Sequence, residues 1–155
     1  MSYADQDIKT RSKFLKIEQN APMVVRLLDA TPVEVMKHQL KQANADGKFQ
    51  IECQGEDICP LCQDGDEATQ KFIANVYNHT LSKVQLWEYG PSIAKMIKKV
   101  AINLAEEGQD IMNFDLKVEA EGAGLNKKYT VTMRTTPQPV PAGLQLIKIE
   151  PGIPF

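Results

Sequence analysis

The sequence is poor in the residues that usually announce chemistry: 155 residues contain three cysteines and two histidines. Three is an odd number for a disulfide framework, and in a reducing compartment a Cys-x-x-Cys pair is better used on a metal. No apolar run approaches the length of a membrane span. The opening Met1-Ser2-Tyr3-Ala4-Asp5 has no signal-peptide apolar region, so a cytoplasmic protein with no membrane partner is expected. Catalytic signatures are also missing. No serine sits in a nucleophile elbow and no carboxylate pair is placed by a motif. Glu121-Gly122-Ala123-Gly124-Leu125-Asn126 lacks the Lys-[Ser/Thr] of a phosphate loop and the helix that follows a dinucleotide-binding turn. A binding module is therefore the default, and no enzyme is expected.

What is present suits one domain: 43% of the residues are hydrophobic, enough for a single core. The net charge of −2 hides segregation. Lys9 to Lys48 carries eight basic and four acidic residues, whereas Phe49 to Gln70 has six acids and no base. Lys71 to Ala105 is +4, Glu106 to Asn126 is −5 and Lys127 to Phe155 is +3. Such alternation places basic and acidic surfaces on different faces, or is ordinary solvated charge.

The three cysteines fall within ten residues. Fourteen residues separate His38 from Cys53, five lie between Cys53 and Cys59, and two between Cys59 and Cys62. Cys59-Pro60-Leu61-Cys62 forms a compact knuckle whose two thiolates can reach one ion, and Cys₃His is a common donor set for structural Zn²⁺. Four protein ligands leave no position for water, which argues against catalysis by the metal. A redox role lacks the βαβ surroundings it needs. His79 competes for the fourth place, but Asn78-His79-Thr80 reads as a hairpin turn, so His38 is favoured. The acidic Gln63-Asp64-Gly65-Asp66-Glu67 lacks the ligand spacing of a calcium loop.

Elsewhere the pattern is of short strands. Phe14–Ile17, Met23–Leu28, Val33–Leu40 and Lys48–Glu52 are strand candidates between turn signals, the last two joined through Asn44-Ala45-Asp46-Gly47. This hairpin would bring His38 back towards the cysteines. Gln70–Asn78 and Ser82–Tyr89 form a second hairpin, in which Val84 and Leu86 share one face and Trp87 alternates to the other. One strong helix opens at Gly90-Pro91-Ser92 and ends at Gly108. Its apolar face is Ile93, Met96, Ile97, Val100, Ala101 and Leu104, with Lys95, Lys98 and Lys99 turned away. A strand from Met112 to Val118 and another from Lys127 to Arg134 follow. The expected architecture is mainly β: an OB-fold-like Greek-key barrel spanning residues 13–136, with one helix late among the strands and a small zinc-binding insertion at about 38–62. Residues 1–12 read as a flexible N-terminus. Residues 137–155 read as a proline-rich tail in which Leu144–Ile149 can add a strand or dock on a partner.

The order Phe14-Leu15-Lys16-Ile17, Val25-Arg26-Leu27-Leu28, Lys37-His38 and Cys59-Pro60-Leu61-Cys62 resembles single-stranded-DNA-binding replication proteins of tailed phages. Lys71-Phe72-Ile73-Ala74-Asn75-Val76, Val84-Gln85-Leu86-Trp87-Glu88 and Glu121-Gly122-Ala123-Gly124-Leu125 with Tyr129-Thr130-Val131 extend the resemblance. It implies an OB-fold, a zinc ion, and sequence-independent coating of single-stranded DNA in replication, recombination or repair. It also implies replication or recombination proteins as further partners, self-association along the strand, and the host cytoplasm as location. The proline-rich, slightly basic end departs from the acidic C-terminal tail common in that group. Binding of this kind needs cations for phosphates and aromatic faces for bases. Arg26, Lys37, Lys48, Lys71, Lys83, Lys128 and Arg134 are the candidate cations. Phe72, Tyr77, Trp87, Tyr89 and Tyr129 are the candidate platforms. Each aromatic alone reads first as core, and Trp87 and Tyr77 are the better platforms because their same-side neighbours are polar. A zinc-stabilised protein–protein adaptor, an RNA-binding module and a metal-dependent hydrolase with an open ligand position stand as alternatives.

Overall fold

A computed structural model describes residues 13–40, 50–55, 57–122 and 127–149. The turn at 44–47, the candidate cation Lys48 and the N-terminal stretch 1–12 lie outside the described residues. In chain order the elements are strands β1 (Met23–Leu27), β2 (Val33–Gln39) and β3 (Gln50–Glu52), and a one-turn helix α1 (Pro60–Gln63). Then come β4 (Thr69–Asn78), β5 (Lys83–Tyr89), helix α2 (Pro91–Glu106), a 3-10 turn (Ile111–Asn113), β6 (Asp115–Glu121) and β7 (Lys128–Met133). The chain is mainly β, as its alternating pattern predicts.

All seven strands belong to one antiparallel sheet in the order β3-β2-β4-β1-β6-β7, with β5 on the remaining edge of β4. The ten residues of β4 serve three partners. Its first half pairs with β2, its end with β1, and β5 runs along its other side. The leading segment, expected as a strand at Phe14–Ile17, makes isolated bridges instead, among them Phe14 to Leu86 of β5 and Gln19 to Ala120 of β6. These bridges join the two flanks, so the sheet curls round in a barrel-like manner.

The main core lies inside this curl. Val25, Leu27, Val76, Trp87, Tyr89, Leu116, Val118 and Val131 meet Ile93 and Ile97 of α2 there. Pro91 suits the first turn of α2, where its missing N–H costs nothing. Gly108, at φ +72°, ends the helix, and the following Gln109 N–H donates back to Leu104. The strand expected from Met112 begins later, because the Asp110 side chain accepts from the Met112 N–H and caps the 3-10 turn.

The opposite face of the sheet is covered as well. Val35, Ile73 and Leu86 form a second cluster, with Phe14, Val33, Ile147 and Ile149 packed on it. A strand buried on both faces does not show a solvent side by alternation. This corrects the expectation for Trp87: its side of β5 is the main core, the Val84/Leu86 side is the second cluster, and Trp87 is 2% exposed. The tail is not free either. Among its described residues it makes no strand, but Ile147 and Ile149 dock on the barrel of the same chain.

Candidate metal centre

The β2–β3 pairing sets Lys37 opposite Glu52 and His38 opposite Ile51, so the residue after β3, Cys53, lies beside His38. The Cys53 N–H continues the ladder by donating to the Met36 carbonyl at 2.6 Å. The chain then turns at Gly55, whose φ of +118° excludes other residues without strain. Cys59 N–H donates to the Gly55 carbonyl at 2.8 Å, and Cys59 stands at the N-cap of α1 with Pro60 in the first turn. One helical turn later Cys62 faces the same point.

Four ligand atoms converge here, one each from His38, Cys53, Cys59 and Cys62, all within 4.8 Å of one another. Cys59 Sγ and Cys62 Sγ each lie 3.3 Å from His38 Nε2, and Cys53 Sγ is 3.4 Å from Cys62 Sγ. Metal–sulfur bonds of 2.3 Å at tetrahedral angles would set sulfurs roughly 3.8 Å apart, so the cluster is already near that size. The other ring nitrogen, Nδ1, is 2.6 Å from Asp66 Oδ2. A carboxylate on Nδ1 holds the proton there and leaves the Nε2 lone pair pointing at the sulfurs, as an outer-shell partner of a ligating histidine does. These donors suit a metal ion. His38, Cys53, Cys59 and Cys62 would hold it, and with four protein donors the ion would act as a cross-link.

The thiols are electrostatically unequal. The Cys59 thiol is pulled down to about 6, chiefly because the Cys62 N–H points at its sulfur, against the opposing effect of burial. The Cys62 thiol is pushed up to about 12, first by Cys53 and then by burial. Burial lowers the His38 pKa, but the Asp66 carboxylate and neighbouring thiols outweigh it, so the net direction is up. Crowded sulfur donors that resist sharing negative charge are what a cation relieves. Beside the cluster opens a cleft of about 690 Å³ lined by Met36, Cys53, Cys62 and Asp66, which gives solutes access to two of the sulfurs.

His79, the competitor from sequence, is elsewhere. Its Nε2 is 2.8 Å from Oδ1 of Asp115, which is fully buried and also accepts from Arg26 Nε at 2.8 Å. A turn residue thus belongs to a buried ionic group that joins β1, β6 and the β4–β5 turn. Nothing in the spacing of His79 and Asp115 pointed to this. Asp66 was equally hidden, since it sits in an acidic run that reads as solvated loop.

The candidate nucleic-acid residues divide by sheet face. Register places Arg26 opposite Tyr77 and Val35 opposite Lys71, so Arg26, Lys37, Lys71 and Tyr77 all project from the face opposite the main core. Arg26 is held by Asp115, and Lys37, 4% exposed, donates to Glu88 Oε1 at 2.8 Å; both are ion-paired inside the fold. Tyr77 is buried edge-on against His79, with ring centres 5.0 Å apart. Phe72 stacks on Tyr89 at 5.6 Å, and Tyr89 packs on Trp87 at 4.9 Å. Trp87 and Tyr89 are buried in the main core, with Phe72 and Tyr129 packed against it. The platform role expected for Trp87 and Tyr77 is not available in this conformation, since neither ring offers a face to solvent. Lys128 and Arg134 are exposed and Lys71 and Lys83 are half-buried; none of the four has an ion pair among the described residues. No protein-family model, curated protein or solved structure matches this chain.

Proposed function

We propose that the protein is an OB-fold-type binder of single-stranded DNA whose knuckle is closed by a structural zinc ion. The observation that carries the nucleic-acid half is the placement of Arg26, Lys37 and Lys71 on one sheet face. Three cations on one face are the materials for tracking a phosphate backbone. Arg26 and Lys37 are paired in the free protein, so Lys71 makes the first phosphate contact, and strand binding exchanges their carboxylate partners for phosphates. Coating of single strands in replication, recombination or repair is the process this suits, with a phage setting following from the resemblance of the motifs. Zinc is preferred to other metals because three soft thiolates with an imidazole are a donor set common to structural zinc.

Binding of fluorescent oligo-dT at two salt concentrations, with duplex DNA as control, tests the reading. Tight dT binding that weakens with salt is expected, and Lys71→Ala should lower the salt slope by about 0.7. Equal and weak binding of dT and duplex, or affinity indifferent to salt, overturns it. A protein adaptor is the second reading. It would use Ile58 on the knuckle, which is 65% exposed, as an apolar contact with a partner protein.

A further inference from the structure

The tail enters the barrel through two polar clips. At the first, the Gln138 N–H donates to Asp115 Oδ2 at 2.7 Å and its carbonyl accepts from Arg26 Nη2 at 2.9 Å. At the second, Asn75 uses its side-chain amide as a strand would use its backbone. Oδ1 accepts from the Ile147 N–H at 2.7 Å, and Nδ2 donates to the Ile147 carbonyl at 2.9 Å. Asp29 Oδ2 accepts from both the Asn75 N–H and Nδ2, which fixes the amide's orientation. Asn75 is 2% exposed beneath the tail, and an empty slot would cost its Oδ1 the Ile147 N–H while Nδ2 kept Asp29. At and just beyond this clip, Ile147 and Ile149 pack on the apolar floor made by Val35, Ile73 and Leu86. This is a built receptor for one extended apolar segment.

The connection between the clips is of a different character. Residues 139–146 lie outside any strand or helix, are mostly exposed, and include Pro139, Pro141 and Gly143, the last at φ +74°. Eight residues between fixed points span up to about 30 Å when extended, comparable to the width of a small domain. Nothing in the slot distinguishes its own segment from an identical one.

We propose that Leu144–Ile149 is an exchangeable strap, and that a second copy of this chain supplies it to the same slot, linking copies head to tail. Within one chain the tether gives the strap an effective concentration of order millimolar, so the closed monomer dominates in dilute solution. When copies lie side by side, each exchanged strap finds the same clip and apolar floor in its neighbour, the low-cost route to association that swapped elements use. No nucleic acid takes part, so the proposal stands or falls apart from the single-strand reading.

Two full-length variants test it. Ile147→Asp with Ile149→Asp empties the slot, and Asn75→Asp spoils the slot through repulsion from Asp29 while keeping the strap. Each alone should sediment as a monomer of about the chain's 17.3 kDa mass. Their mixture should form a 1:1 complex of twice that mass. In parallel, a fluorescein-labelled peptide of residues 139–149 should bind the Ile147→Asp, Ile149→Asp protein at least tenfold more tightly than wild type, whose slot is filled. A mixture that stays monomeric, or a peptide that does not discriminate between the two proteins, overturns the proposal. If Asn75→Asp fails to fold, the peptide measurement decides alone.

Discussion

His38 performs two tasks with one ring, offering Nε2 to the sulfurs and holding Nδ1 against Asp66 at 2.6 Å. The second task is outside the donor set, yet it aims the first. Asp66→Asn should therefore keep the fold and weaken metal affinity by about 10–100-fold, measured by competition with a chromophoric chelator. An unchanged affinity would mean that packing alone aims the ring. Tyr89 shows how burial acts on a single group: its hydroxyl is pushed up to about 12 by desolvation. In the unfolded chain the phenol ionises near 10. Between these values the unfolded state gives up a proton that the folded state keeps, so the stabilisation is complete below about pH 10 and is lost as pH rises through about 12. Denaturation midpoints at pH 9 and 11.5 should fall more for wild type than for Tyr89→Phe, and an equal fall in both would remove Tyr89 as the cause.

At the scale of elements, β4 and β5 explain where alternation works and where it stops. Trp87 is enclosed by the main core, so its fluorescence should be blue-shifted, resistant to acrylamide, and unchanged when oligo-dT is added. Quenching by dT would restore it as a base platform. Strand and helix positions were legible because each carries its own period: Val33 to Gln39, Lys83 to Tyr89 and the Ile93/Ile97/Leu104 stripe of α2 all lie where their patterns put them. The metal cluster was legible for a related reason, since Cys59, Cys62 and the β2–β3 hairpin are local in sequence. The side of β5 that meets the main core was not legible. It depends on the leading segment and the tail covering the far face, with Phe14 and Ile147 brought from opposite ends of the chain. The Asp115–Arg26–His79 group was hidden for the same reason, because it joins residues up to 89 positions apart.

For the whole molecule, the division of burial decides what the metal stabilises. The main core draws on the leading segment, β1, β4 to β7 and α2, and none of its residues comes from β3 or α1. Among the described residues of the knuckle only Cys59 is buried. Beyond its cysteines it has little apolar packing to hold it, so its order would depend on a bound ion, whereas the barrel has a core of its own. Removing the metal should then open one part of the molecule and spare the other, a sub-global unfolding. After chelation, hydrogen exchange should accelerate in β3 and from Cys59 to Asp66, while the amides of β1, β5 and β6 stay protected and the near-ultraviolet signal of Trp87 persists. Should protection collapse across β1, β5 and β6 together, the ion would be holding the entire fold. Binding of oligo-dT by the stripped protein then sorts the roles of the two parts. Retained affinity assigns the strand contacts to the sheet face, and a drop in affinity with an intact barrel assigns the knuckle a direct share in them.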